Sequence, residues 1–249
     1  MPTKRKTATG GRERPLQGQP QAVLAALKRL ASKKVRDGMA RYAIPSDNAL
    51  GVPMNKMQQV ARQFGKSHEL AIALWETGIY EARTVAAYVD EPERVTPAQM
   101  DRWCRDFDSW AVVDTICFVL FDRTPHALGK IDRWAGMKGE FQKRAAFALL
   151  ACVALHNKSA ADDDFLRCLP LIEEAAADDR NFVKKGVSWA LRAVGRRNLE
   201  LNAACVTLCK RLLTSPAPSA QWLGRTARKE LASPAVRLSL EKRARARKA

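Results

Sequence analysis

The chain has no apolar run long enough to cross a bilayer. Its longest contains Phe147 to Leu155 and, counted from Ala145, holds 11 residues, whereas a membrane-spanning helix needs about 20. The segment from Met1 to Gln19 is polar and basic and lacks the apolar stretch of a secretion signal. We therefore expect a protein without membrane contacts whose first residues form a disordered arm.

Motifs that hold metals or nucleotides are also missing. There is no CxxC pair, no His and Cys cluster at metal-ligand spacing, and no P-loop, GxGxxG or GxSxG sequence. We therefore expect neither a metal nor a cofactor. The six cysteines are interpreted as buried thiols of a reducing cytosol; they are Cys104, Cys117, Cys152, Cys168, Cys205 and Cys209.

Acidic residues are scarce relative to basic ones. The chain carries 43 Lys and Arg against 26 Asp and Glu, a formal net charge of +17. Residues 1–20 hold five basic side chains and one acid, and residues 220–249 hold nine and two. This imbalance favours a polyanionic partner, although the two ends alone would suffice for non-specific binding.

Apolar spacing predicts helices along almost the whole chain. Apolar residues recur at i, i+3 and i+4, and no convincing alternating strand pattern occurs. Four pairs of a capping residue and a proline mark predicted helix starts: Thr96-Pro97, Thr124-Pro125, Ser215-Pro216 and Ser233-Pro234. The acidic run from Asp162 to Asp164 is read as a further helix N-terminus, where negative charge is favourable.

Similar helical segments recur along the chain. Their leading aromatics are Phe107, Phe141, Phe182 and Trp222, spaced 34, 41 and 40 residues apart, and a weaker copy begins at Tyr80. Such a period is typical of HEAT and armadillo-like repeats. The sequence therefore predicts an all-α HEAT/armadillo-like solenoid with a concave basic groove. We expect a basic disordered arm over 1–20, a single repeat domain over 21–233, and a basic helix or tail over 234–249.

Two positions of each repeat are predicted to form neighbouring strips on one face, because they lie four residues apart on a helix. The third position after the leading aromatic holds Arg83, Trp110, Arg144, Lys185 and Arg225. The seventh holds Ala87, Asp114, Ala148, Trp189 and Lys229. These strips would be basic, with two tryptophans and one acid. An ordinary solvated helix edge is the alternative, but tryptophan beside arginine favours a nucleic-acid surface.

Several motifs, in order, carry a family resemblance. They are MARY at Met39–Tyr42, GVP at Gly51–Pro53, HELAIALWETGIYEAR at His68–Arg83, DFDSWAVVD at Asp106–Asp114, EFQKRAAFALL at Glu140–Leu150 and NFVKKGVSWALR at Asn181–Arg192. From about Met39 to Ser233 the chain resembles the HEAT-like repeat DNA alkylation repair glycosylases. One departure is AIPSDNAL between MARY and GVP, where members of this family often have an aromatic-rich segment.

The resemblance implies a role for individual residues. Asp114 matches the catalytic carboxylate, and Trp110 and Trp189 match the aromatic pair around the lesion's deoxyribose. Arg144 matches an active-site arginine at the DNA backbone. Tyr42 matches an aromatic facing the same cleft, and Arg192 matches a basic residue near DNA. The basic repeat positions add Arg83, Lys185, Arg225 and Lys229 as expected DNA contacts.

The resemblance also implies a reaction, removal of N3- or N7-alkylated purines from duplex DNA. A cationic base leaves readily, so the main requirement is a carboxylate that stabilises the oxocarbenium-like sugar and orients water. We expect a monofunctional, monomeric hydrolase in the cytoplasm, nucleoid-associated when bound to DNA. Nothing indicates that Lys185 forms a Schiff base, and the three histidines are read as ordinary helix residues. A non-catalytic repeat protein that binds DNA junctions or RNA, and a protein-interaction scaffold, remain alternatives.

Overall fold

The computed structural model describes residues 19–246, and all regular elements in this range are helices. They are α1 (Gln19–Arg29), α2 (Lys33–Gly38), α3 (Met54–Phe64), α4 (His68–Trp75), α5 (Tyr80–Val89), α6 (Pro97–Arg105), α7 (Trp110–Val119), α8 (Ala127–Ala135), α9 (Glu140–His156), α10 (Asp162–Leu166), α11 (Leu169–Ala175), α12 (Asn181–Gly195), α13 (Leu199–Leu213), α14 (Pro218–Leu231) and α15 (Pro234–Ala246). Short 3₁₀ helices cover Met39–Tyr42 and Phe121–Arg123. The predicted all-α class is confirmed.

The helices that carry the sequence repeat pack against one another in chain order. Helix α5 contacts α7, α7 contacts α9, α9 contacts α12, and α12 contacts α14. Helices α4, α8 and α13 pack beside this row. Helix α9 has a long unbroken buried stretch, since its residues 144–154 are all buried. Consecutive packing is what stacked repeats require, while the curvature and the concave basic groove remain predictions.

Two predicted helix starts are confirmed. Helix α6 begins at Pro97, and the Thr96 hydroxyl accepts a hydrogen bond from the Gln99 amide at 3.1 Å. Helix α15 begins at Pro234, immediately after Ser233. In both cases the capping oxygen satisfies an amide that has no partner within the helix, and proline occupies a position that needs no donor. Helix α10 also begins at the acidic run, with Asp162 as its first residue.

The other two predicted starts are wrong by two residues. Helix α8 begins at Ala127 rather than at the proline after Thr124, because the Thr124 hydroxyl donates to the Phe121 carbonyl at 2.8 Å. Helix α14 begins at Pro218. The Ser215 hydroxyl instead accepts from the Ala217 amide at 3.2 Å, which makes a local turn before the helix.

A buried carboxylate fixes the loop between the 3₁₀ helix Met39–Tyr42 and α3. Glu81 of α5 is fully buried, and its oxygens accept from the amides of Leu50, Gly51 and Val52 at 2.9, 2.7 and 3.1 Å. Gly51 has φ +80, and a Cβ there would lie 2.3 Å from the Ser32 carbonyl oxygen. The loop therefore needs both this glycine and this acid.

All six cysteines are free and buried, as predicted. Burial raises the pKa of the Cys104 and Cys205 thiols to about 12, so neither is a reactive thiolate near neutral pH. The reducing cytosol itself remains a prediction. No helix among residues 19–246 is both long and apolar enough to cross a membrane.

The predicted N-terminal arm over 1–20 lies outside the described residues except at its end. Gln19 and Pro20 belong to α1, so the helix begins before the predicted boundary. At the other end, the segment after Ser233 is helical as far as Ala246.

Candidate active site

Helix α7 presents one chemically distinctive strip. Ser109 caps the helix, its hydroxyl accepting from the Ala111 amide at 3.2 Å. Trp110 is the first helical residue, and Asp114 and Phe118 follow at one-turn intervals on the same side. Trp110 and Asp114 are half-buried, whereas Phe118 is 43% exposed. Sequence reasoning missed Phe118, although its i+4 spacing from Asp114 was the available signal.

A bidentate ion pair joins Asp114 to Arg144 of α9. Arg144 donates from Nε to one carboxylate oxygen at 3.0 Å and from Nη2 to the other at 2.7 Å. Its Nη1 donates to the Phe182 carbonyl oxygen at 2.7 Å, at the start of α12. A single buried guanidinium thus ties three consecutive repeat helices together and fixes the orientation of the carboxylate.

Close packing of α12 over this guanidinium depends on a glycine. A Cβ added at Gly186 would lie 3.3 Å from Cγ of Arg144 and 3.5 Å from its carbonyl oxygen. Any larger residue would therefore push α12 away from α9 or displace the Arg144 side chain.

Burial and pairing act on the Asp114 carboxyl in opposite directions. Burial raises its pKa above the ordinary value, and the hydrogen bonds and charge of Arg144 oppose this rise. The Asp114 side chain keeps 23% of its surface exposed, whereas that of Arg144 keeps 7%. The Arg144 guanidinium therefore faces Asp114 from inside the protein, and the exposed part of the carboxylate is the part accessible to a ligand.

Trp110 is held by the N-terminal 3₁₀ helix. Its indole Nε1 donates to the carbonyl oxygen of Tyr42 at 2.7 Å. The Tyr42 ring itself is 68% exposed. Three predicted site residues, Tyr42, Trp110 and Asp114, are therefore brought together although the first lies far away in sequence.

Trp189 of α12 lies beside a different concavity. This cleft of about 720 Å³ is also lined by Arg192, whereas neither Trp110 nor Asp114 lines it. Arg192 donates to a Glu230 carboxylate oxygen at 3.1 Å and to the Ser188 carbonyl oxygen at 3.1 Å. Trp189 and Asp114 are linked through Arg144 and the helices it joins. Arg144 donates to Asp114 of α7 and to the Phe182 carbonyl oxygen of α12, the helix that carries Trp189.

The four remaining predicted DNA contacts have different surroundings. Arg83 keeps only 15% of its side chain exposed; it donates to the carbonyls of Trp75 and Asp106 at 3.4 and 3.2 Å. Its guanidinium also lies 4.9 Å from the Trp75 ring centroid. The other three, Lys185, Arg225 and Lys229, are exposed.

The two predicted strips are not one continuous exposed surface, so that expectation is wrong. Ala87 and Ala148 are fully buried, and Arg144 is 6% exposed. For Arg144 and Ala148 the reason is packing, since α9 is enclosed by α7, α8 and α12. Phe141 and Phe182 are each the second residue of their helix, so Ala148 and Trp189 occupy equivalent positions. They differ in burial because their helices have different neighbours.

Comparison with known proteins agrees with this architecture. A family model described as DNA alkylation repair enzyme matches residues 23–231. The chain belongs to this family. A solved structure described as "a new family of proteins related to the HEAT-like repeat DNA glycosylases with affinity for branched DNA structures" superimposes with a TM-score of 0.69 at 17% identity, covering 76% of this chain and 81% of that one. At this identity the likeness establishes the shared fold. No curated protein matches the chain by sequence.

Membership of this DNA alkylation repair family confirms the resemblance stated from the sequence motifs. The described residues contain no group of three or more His, Cys, Asp or Glu side chains placed to hold a metal ion. The described site consists of Asp114, its Arg144 partner and the neighbouring aromatic ring of Trp110.

Proposed function

We propose that this member of the DNA alkylation repair family is a glycosylase that hydrolyses the N-glycosidic bond of N3- or N7-alkylated purines in duplex DNA. The observation that carries the proposal is the Asp114 carboxylate, partly exposed, fixed by two hydrogen bonds from Arg144 and one helical turn from Trp110. Family membership supports a role in DNA repair. The substrate and the mechanism are our inference.

The reaction needs little more than a fixed negative charge. An alkylated purine is cationic, so the bond to C1′ breaks with its electron pair returning to the base, which leaves neutral. The sugar becomes oxocarbenium-like, and Asp114 stabilises it more than it stabilises the substrate. A water oxygen then bonds to C1′, and Asp114 orients that water and accepts its proton.

Arg144 takes a positioning role in this scheme. Its donors are engaged with Asp114 and the Phe182 carbonyl, and its side chain is 7% exposed. It therefore preorganises the carboxylate rather than meeting the DNA backbone as the resemblance implied. The π face of Trp110 adds electron density beside the developing cation. Trp189 would contact the lesion nucleotide from α12.

Exposed cations would hold the DNA. Lys185, Arg225 and Lys229 are open to solvent and can each neutralise a phosphate. We propose that the protein acts as a monomer on duplex DNA in the cytoplasm, where it would associate with the nucleoid.

The decisive experiment is chromatography of bases released from methylated duplex DNA. Asp114→Asn keeps the shape of the side chain but removes its charge, so we expect excision to fall by about 10²-fold or more. DNA affinity should stay equal or rise. Asp108→Asn, an exposed acid just before α7 with 61% of its side chain accessible, is the matched control and should excise normally. Retained turnover in Asp114→Asn would contradict the role of this residue.

A second function, binding of branched DNA without catalysis, has two observations in its favour. The structure that shares this fold at a TM-score of 0.69 is described as having affinity for branched DNA structures. Here, in addition, both Asp114 oxygens already accept from Arg144. This function predicts that wild-type protein releases no base and binds a four-way junction more tightly than a linear duplex of equal length.

A further inference from the structure

A basic cleft lies at the end of the helix row, between α9, α12, α14 and α15. Its volume is about 720 Å³, within the range of about 300–1,000 Å³ that accommodates a small-molecule-sized group. The charged side chains that line it are those of Lys158, Asp162, Arg192, Arg196, Arg197, Glu230 and Arg243. Five cations thus face two acids.

One acid organises two of these cations. Glu230 of α14 accepts from Arg192 at 3.1 Å and from Arg196 at 2.9 Å, one carboxylate between two guanidiniums. The Arg196 side chain remains 57% exposed. The pairing orders the arginines without neutralising them, so a net positive charge is left over the cleft.

The C-terminal helix completes the cleft. Arg243 of α15 is exposed, and its Nη2 donates to the Arg196 carbonyl oxygen at 2.8 Å, which anchors its guanidinium at the backbone of Arg196. Ser239, one turn earlier, also lines the cleft. Helix α15 begins at Pro234, whereas the family match ends at residue 231. The wall formed by α15 therefore lies outside the region that the family model matches.

We propose that this cleft, the α15 cleft, binds a backbone phosphate of DNA through Arg196 and Arg243. Guanidiniums match the geometry of phosphate oxygens and remain charged at all relevant pH values. Trp189 also lines the cleft, so a strand that contacts Trp189 at the proposed lesion site would reach it. The inference rests on the proposed function only in taking DNA as the ligand.

The test is the salt dependence of binding to a fluorescent unmodified duplex, measured from about 50 to 200 mM salt. The slope of log affinity against log salt is negative, and Arg243→Gln and Arg196→Gln should each reduce its magnitude by about 1. This is the signature of one lost phosphate contact. Near 0.1 M salt each variant should bind up to about tenfold more weakly. Lys242→Gln removes the same charge from an exposed position of α15 that does not line the cleft, and its slope should match that of wild type.

Further measurements separate folding from binding. Arg243→Lys restores the charge and should restore the slope. Thermal unfolding identifies any variant that loses structure. If Arg243→Gln does so, Arg196→Gln is the variant that tests the proposal. Slopes of Arg243→Gln and Arg196→Gln equal to that of Lys242→Gln would overturn the proposal. Binding of polyglutamate that is lost in Arg243→Gln, with DNA binding unchanged, would overturn it in favour of an acidic protein segment.

Failure of the α15 cleft and failure of the glycosylase proposal give different results. If the slopes are unchanged while Asp114→Asn abolishes base release, the cleft assignment falls and the glycosylase stands. If wild-type protein releases no base but the slopes drop as expected, the cleft stands on a non-catalytic DNA-binding protein. If wild-type protein binds no DNA, both are overturned.

Discussion

Arg144 and Asp114 meet side-on, with two parallel hydrogen bonds of 3.0 and 2.7 Å between helices α9 and α7. This relationship gives the site its one fixed negative charge. An aspartate on a helix surface would rotate among several rotamers, whereas this one is held by a guanidinium that is itself held by the Phe182 carbonyl. The carboxylate is thus ordered before any substrate arrives.

The first prediction concerns the pH dependence of excision. Burial raises the pKa of Asp114 while Arg144 opposes that rise. Because the reaction needs the carboxylate, activity should fall as pH drops through that pKa. In Arg144→Gln the opposing charge is lost, the Asp114 pKa rises further, and the acid limb should move to higher pH. Single-turnover release, corrected for spontaneous base loss at each pH, measures the shift.

The control for this shift is Lys143→Gln, which removes a positive charge from the adjacent position of α9, where Lys143 lies 3.4 Å from an Asp178 oxygen. Its acid limb should coincide with that of wild type. An identical limb in Arg144→Gln would mean that the profile does not report Asp114.

The second prediction separates the hydrogen bond of Trp110 from the ring of Tyr42. Trp110→Phe keeps an aromatic face but loses the donor to the Tyr42 carbonyl at 2.7 Å. Tyr42→Ala keeps that carbonyl and loses the exposed ring. We expect Trp110→Phe to loosen the 3₁₀ helix Met39–Tyr42, measured as faster amide exchange there, and Tyr42→Ala to leave exchange largely unchanged. Equal exchange in both variants would show that the hydrogen bond does not hold this segment.

The third prediction concerns the loop fixed by Glu81. Its carboxylate accepts from three amides, those of Leu50, Gly51 and Val52. Glu81→Ala leaves these donors unpaired in a buried site, so unfolding free energy should fall by at least about 3 kcal/mol in denaturant titrations. Glu76→Ala, an exposed acid with 61% of its side chain accessible, should cost less than about 1 kcal/mol. Similar losses in the two variants would contradict the role of Glu81.

The sequence predicted what lies along one helix better than what lies between helices. The i, i+4 spacing correctly placed Trp110 and Asp114 on the same side of α7. Counting across repeats failed for Ala148, which is fully buried, because α9 is enclosed by α7, α8 and α12. Helical periodicity does not show which neighbours will cover a given helix face.

Contacts between helices were beyond sequence reasoning for the same reason. The ion pair of Asp114 with Arg144 depends on the register of α9 against α7, which spacing within one helix does not specify. The α15 cleft takes Arg196 from just after α12 and Arg243 from the C-terminal helix. Neither position belongs to the repeat pattern, so no periodic signal indicated that these two cations would line one cleft.

The last prediction distinguishes two basic residues that the sequence treated alike. Arg83 is 15% exposed and donates to the carbonyls of Trp75 and Asp106, whereas Lys185 is exposed. Neutralising an exposed lysine on the protein surface that faces DNA should remove one phosphate contact. Lys185→Gln should therefore reduce the magnitude of the salt slope by about 1. Arg83→Gln should leave the slope unchanged but lower the thermal unfolding midpoint, because the hydrogen bonds to the two carbonyls and the contact with the Trp75 ring are lost. A reduced slope in Arg83→Gln with an unchanged midpoint would instead place Arg83 on the DNA, and would mean that its internal contacts are exchanged for a phosphate on binding.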